Sequence, residues 1–196
     1  MDIFDRPLYN KHSMINPKRW WLFTILILSL SAAWIWFNAP TQAELRSSQA
    51  SAPAVGFIAP DLELTSLAGD QIQLSQLHGQ AILLNFWASW CPPCKSEMPA
   101  MQQAYEEYAD HGFSILAVNA TNVDTKAAAY QFVQDNQLTF PILFDPDGEV
   151  AQIYRASSLP TSFFIDRDGN IQDVVIGGPM SEALLRTRIE KILGEQ

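Results

Sequence analysis

The sequence predicts an α/β domain, a central mixed sheet flanked by helices, preceded by one membrane-spanning helix. Three observations predict it. Short apolar runs, at Ala81–Phe86, Phe113–Asn119 and Pro141–Phe144, are separated by stretches of helical length, the pattern of parallel β-α-β units. Trp20 to Phe37 is 18 residues without a charge. Both cysteines of the chain, Cys91 and Cys94, fall in one motif where the first of those apolar runs hands over to a helix.

The apolar segment sets the domain organisation. A helix over residues 20–37 covers about 27 Å, close to the hydrocarbon thickness of a bilayer. Trp20 and Trp21 stand at one end, and Trp34, Trp36 and Phe37 at the other, where aromatics favour the two interfaces. Lys18 and Arg19 flank the first end, so the positive-inside rule puts residues 1–19 in the cytoplasm and the rest of the chain outside it, in an inner-membrane, periplasmic setting. A cleaved signal peptide, with Thr41-Gln42-Ala43 as its cleavage site, is the competing reading, but signal peptides have shorter apolar cores. Residues 38–54, rich in Ala, Ser, Gln and Pro, read as a linker, and residues 55–196 as the folded domain.

Charge narrows the class of partner. From Pro53 onward there are 7 basic and 18 acidic residues, a net of −11, against +2 for the first 52 residues. Nucleic-acid phosphates would repel such a domain. Roughly 140 residues suffice for one domain with a full core.

Along the domain, Leu62–Leu64 and Ile72–Leu74 alternate around the turn Ala68-Gly69-Asp70, which predicts a hairpin, and Ser75–Leu77 a short helical turn. Ser96–Tyr108 reads as a helix, with Pro99 as an expected kink. Asp124 or Thr125 caps a helix reaching to about Asn136. Glu149–Tyr154 is a short helix. Ser162–Asp166 and Ile171–Ile176, joined by Arg167-Asp168-Gly169-Asn170, form an antiparallel hairpin. Ser181 caps a last amphipathic helix with Leu184, Leu185, Ile189, Ile192 and Leu193 on its apolar side.

The chemistry lies at Cys91-Pro92-Pro93-Cys94. The first N–H groups of a helix lack internal partners and carry partial positive charge, which favours a thiolate at Cys91. Cys94 lies one turn on, close enough for a disulfide, so one cysteine can attack and the other resolve. A structural staple over two residues would stabilise little. A zinc site would need four ligands, and His12, His78 and His111 are scattered. Pro92 and Pro93 remove two N–H groups and stiffen the loop. Trp87 reads as packing, Trp90 as a partly exposed wall of a substrate cleft, and Lys95 as a solvated helix charge.

Trp90-Cys91-Pro92-Pro93-Cys94-Lys95, after Ala81-Ile82-Leu83-Leu84-Asn85-Phe86-Trp87, resembles the thioredoxin superfamily. Cys94-Lys95-Ser96-Glu97-Met98-Pro99 resembles one branch of it, the membrane-anchored thiol-disulfide oxidoreductases of the TlpA/ResA type, including those serving cytochrome c maturation. The resemblance covers about Val55 to Leu193. It implies a thioredoxin-like fold with an N-terminal hairpin extension and a helix at Lys126–Gln134 that plain thioredoxin lacks. It further implies dithiol chemistry without cofactor or metal, exported protein disulfides (apocytochrome c among them) as substrates, and a membrane thiol carrier as electron donor.

The resemblance also assigns roles. Leu159-Pro160-Thr161-Ser162-Phe163-Phe164-Ile165-Asp166 matches the segment whose proline is cis and faces the dithiol, so Leu159, Pro160 and Thr161 join Trp90, Pro92 and Pro93 as expected substrate contacts, with the backbone beside Pro160 as a strand edge for a peptide. Asn85 stands where plain thioredoxin has a buried Asp that helps deprotonate the resolving cysteine. Asn cannot titrate, so the proton role moves to Glu97, one turn past Cys94; otherwise Glu97 is a helix-surface carboxylate. A DsbA-type oxidising role fits less well, for lack of a His in the motif. Two alternatives come from other classes: a Cu(I)-binding dithiol module delivering copper for oxidase assembly, and a peroxidase, whose Pro, Thr and Arg pattern is missing around Cys91.

Overall fold

Seven strands form one mixed sheet in the order β2-β1-β5-β4-β3-β6-β7. They are β1 Glu63–Ser66, β2 Gln71–Gln73, β3 Ala81–Trp87, β4 Phe113–Asn119, β5 Ile142–Phe144, β6 Thr161–Ile165 and β7 Ile171–Ile176. The helices are α1 Pro17–Asn38, α2 Pro92–Tyr108, α3 Lys126–Asp135, α4 Glu149–Ile153 and α5 Glu182–Leu193. This computed structural model describes residues 17–38 and 50–194. Residues 1–16 and most of the expected linker, 39–49, lie outside the described residues.

The chain divides into two units, Met1–Ser48 and Gln49–Gln196. In the first, α1 contains the 18-residue window Trp20–Phe37, of mean hydropathy 1.8, long and apolar enough to cross a membrane. The second begins earlier than residue 55. Ser51 bridges Ile58, and Ala52 N–H donates to the Ile58 carbonyl at 3.1 Å, so the last residues of the expected linker belong to the folded unit.

β3, β4 and β5 are parallel, while β6 and β7 add antiparallel on one side and β1 and β2 on the other. The N-terminal hairpin is therefore part of the sheet, through β1 against β5. Its strands run one or two residues away from the expected bounds. β3 is central and buried throughout. It reads as a continuous apolar run because helices cover both faces. Its side chains alternate: Ala81, Leu83 and Trp87 face the cluster packed by Met98, Met101, Val133, Leu185 and Ile189. Ile82, Leu84 and Phe86 face the other cluster with Tyr154 and Phe163. By the same alternation Asn85 faces the side that carries α2.

The helix ends follow their local chemistry. Ala128 N–H donates to Thr125 Oγ1 at 3.1 Å, so of the two expected caps Thr125 is the one used, and α3 ends at Asp135 with Asn136 as its C-cap. Leu184 N–H donates to Ser181 Oγ at the start of α5. Leu185, Ile189, Ile192 and Leu193 of α5 are buried, but Leu184 is exposed, a correction to the expected apolar side. α2 runs through Pro99 to Tyr108 without ending there.

Candidate functional site: a dithiol over a buried carboxylate

β3 ends at Trp87, and the turn Ala88–Trp90 delivers Cys91 to the N-cap of α2. Cys91 and Cys94 are joined as a disulfide with Cα atoms 5.3 Å apart. Because Pro92 and Pro93 occupy the first two helical positions, the first N–H of the helix belongs to Cys94. It donates to Cys91 Sγ at 3.3 Å. The helix end that favours negative charge is thus aimed at Cys91 through one donor instead of three. Cys91 is 3% exposed and Cys94 0%.

Cys91 opens onto a cleft lined by Trp90, Pro92, Pro93, Val123, Ala156 and Leu159, together with Ala120, Asn122, Ala151 and Ser157. No Asp, Glu, Lys, Arg or His stands among these residues. Trp90, 56% exposed, donates its indole N–H to the Val123 carbonyl at 3.0 Å, which fixes the ring as a wall. Trp87 is wholly buried and packs on Phe132 at 5.4 Å, as expected of a packing residue. Lys95 is exposed, its Nζ 5.7 Å from the centre of that Phe132 ring.

The Leu159–Pro160 peptide is cis, as expected, and so is Gly178–Pro179. On the Thr161 side of Pro160 the backbone is paired within the sheet. Pro160 O accepts the Gly177 N–H at 2.8 Å, and Thr161 pairs with Phe86 on one side and Ile176 on the other. Pro160 and Thr161 are buried, so of the three expected contacts Leu159 is the one that faces the cleft.

Glu97 is not on the helix surface; it is 1% exposed. Its Oε1 accepts the Asn85 amide N–H at 2.9 Å, and its Oε2 accepts the Met180 N–H at 3.2 Å. Asn85 also donates to Ser162 Oγ at 2.9 Å. The acid and the amide singled out in the sequence therefore meet directly. Burial pushes the Glu97 carboxyl up, and the Met180 N–H and the Asn85 amide hold back part of that rise. Gly178 permits the arrangement: a Cβ there would lie 2.8 Å from Pro160 Cγ and 3.0 Å from Glu97 Oε2. The Gly178–Met180 segment is the part of the site that sequence reasoning missed. Its Gly-Gly-Pro was the available signal.

Comparisons with known proteins agree with this geometry. The AhpC/TSA family matches residues 55–174. The thiol-disulfide oxidoreductase ResA of Oceanobacillus iheyensis is 40% identical over 145 residues, covering 72% of each chain. ResA of Bacillus cereus is 35% identical over 163 residues, 83% of this chain and 91% of that one. Among solved structures, a putative thiol:disulfide interchange protein DsbE from Chlorobium tepidum superposes with a TM-score of 0.67 at 34% identity, covering 72% of this chain and 99% of that one. StoA from Bacillus subtilis does so with 0.59 at 33% identity, covering 66% and 96%. A dithiol at a helix N-terminus over a buried acid, on a chain so similar to ResA and StoA, makes this a thiol-disulfide oxidoreductase of ResA/StoA type, belonging to the AhpC/TSA family of the thioredoxin superfamily.

Proposed function

We propose that the chain is an extracytoplasmic reductase of protein disulfides, anchored by residues 20–37 with its N-terminus in the cytoplasm. Exported proteins, apocytochrome c among them, are its substrates, and a membrane thiol carrier re-reduces it. The observation that carries this reading is the Cys91–Cys94 pair opening on an uncharged cleft with Glu97 buried one turn behind it.

In the reduced protein, the Cys91 thiolate attacks one sulfur of the target disulfide. A mixed disulfide forms and the first target sulfur leaves as a thiolate. Glu97, as carboxylate, takes the proton of Cys94, and Cys94 attacks Cys91 Sγ. The Cys91–Cys94 disulfide re-forms and the second target sulfur leaves. The target gains two electrons and the pair loses two. The first target thiolate takes a proton from solvent, and the second takes the Cys94 proton by way of Glu97. Trp90, Pro92, Pro93 and Leu159 hold the target segment, and Pro160 and Thr161 set the position of Leu159.

The test is the redox state of the pair in intact cells. A mainly reduced pair that becomes oxidised when the carrier is lost supports the reading. A mainly oxidised pair, with growth indifferent to the carrier, rejects it.

A further inference from the structure

Asp124 lies 33 residues beyond Cys91 in sequence and lines no part of the cleft, yet its carboxylate is the hub of the turn that carries Cys91. Oδ2 accepts the Ser89 backbone N–H at 2.6 Å and the Asn119 amide at 2.9 Å. Oδ1 accepts the Ser89 hydroxyl at 2.7 Å and the Thr125 N–H at 2.8 Å. Thr125, not Asp124, caps α3, so capping does not explain the acid. What it does join are two pieces of chain: the Ser89–Trp90 turn, and the loop from Ala120 to Thr125. The second tie between them, Trp90 Nε1 to Val123 O, is next to it. Both pieces line the cleft, the first through Trp90 and Cys91 and the second through Asn122 and Val123, and the Trp90–Val123 bond holds them in contact.

We propose that Asp124 is a positioning residue that locks these two lining pieces together beside Cys91, and so sets how well a polypeptide disulfide binds without changing the intrinsic reactivity of the thiol. A small disulfide needs only Cys91. A peptide lying along the cleft needs both pieces in place. The requirement is for a carboxylate specifically. Four donors converge on two oxygens, and an amide would present its own N–H groups to two of them. Asn at this position therefore fails although it has the same shape, whereas a residue needed only for packing is replaced by Asn without loss.

The inference rests on the reductase reading of the cleft, and the test separates the two. In single turnovers, purified full-length protein, reduced, is mixed with increasing concentrations of a neutral cystine-bridged peptide or of 2-hydroxyethyl disulfide; KM here is the concentration that half-saturates the rate and kcat is its limit. If the unaltered protein does not reduce the peptide, the reductase reading fails. If it does, Asp124→Asn and Asp124→Ala are each expected to raise KM for the peptide about tenfold, with kcat and the rate toward 2-hydroxyethyl disulfide within about twofold. Should both variants fail to fold, Ser89→Ala removes one of the four bonds and is expected to raise the same KM about threefold. An unchanged KM in whichever variants fold, rescue by Asn, or an equal loss toward both disulfides overturns the proposal.

Discussion

The side-chain amide of Asn85 donates to the carboxylate of Glu97 at 2.9 Å, between the central strand and the helix that carries the dithiol. Both groups are buried, and the amide cannot take a proton. The pair thus places one titratable group one helical turn beyond Cys94.

Two consequences of Glu97→Gln follow. Removing a negative charge near the pair should lower the thiol titrations of the reduced protein, because like charge disfavours a second anion. A shift of one unit corresponds to about 1.4 kcal/mol. Stability should move as well. Burial raises the Glu97 value in the fold, so the favourable contribution of this group is fully present below the ordinary glutamate value and is lost as pH rises through the raised one. Gln is exempt from that loss. Asn85 Oδ1, which has no hydrogen-bond partner, can turn to accept the new amide. The variant should therefore gain on the parent as pH rises from the ordinary glutamate value through the raised one, read from melting curves at each pH. Unchanged titrations and a parallel pair of stability profiles would remove Glu97 from the proton path.

Gly178→Ala should disturb the same site from the opposite side. The added methyl meets Pro160 Cγ and Glu97 Oε2, a proline ring and a buried acid, so the packing there must shift. We expect a loss of about 1–3 kcal/mol, in the range of overpacked positions, and slower decay of a mixed disulfide on Cys91. A stability within about 0.5 kcal/mol of the parent contradicts the close packing of this segment.

Topology is checked by a reporter fused after Gln196. Activity only outside the cytoplasm, with Trp20–Phe37 retained in the mature protein, is the expected outcome. A mature N-terminus at Glu44 would show a cleaved signal instead.

The dithiol, the strands and the final hairpin were legible because each is carried by local pattern: a continuous apolar run for the buried β3, alternation for β1, a cap at Ser181 for α5. What sequence left open depends on distant partners. Nothing near Glu97 says whether it faces solvent or the core; that is decided by Met180 and Gly178, more than eighty residues on. Asp124 looked like a helix cap, and only the fold brings Ser89 to it. The backbone from Thr161 onward is paired because β7 returns alongside β6, and Leu184 is exposed because α5 presents only one narrow stripe to the sheet.

In the proposed reaction Cys91 is the attacking sulfur and Cys94 the resolving one. The most direct measurement is to react reduced Cys94→Ala protein with a cystine-bridged peptide and locate the adduct by peptide mapping. We predict a stable mixed disulfide on Cys91, whereas reduced Cys91→Ala protein forms none at a comparable rate. Equal or faster capture by Cys94 in the Cys91→Ala protein would contradict the assignment.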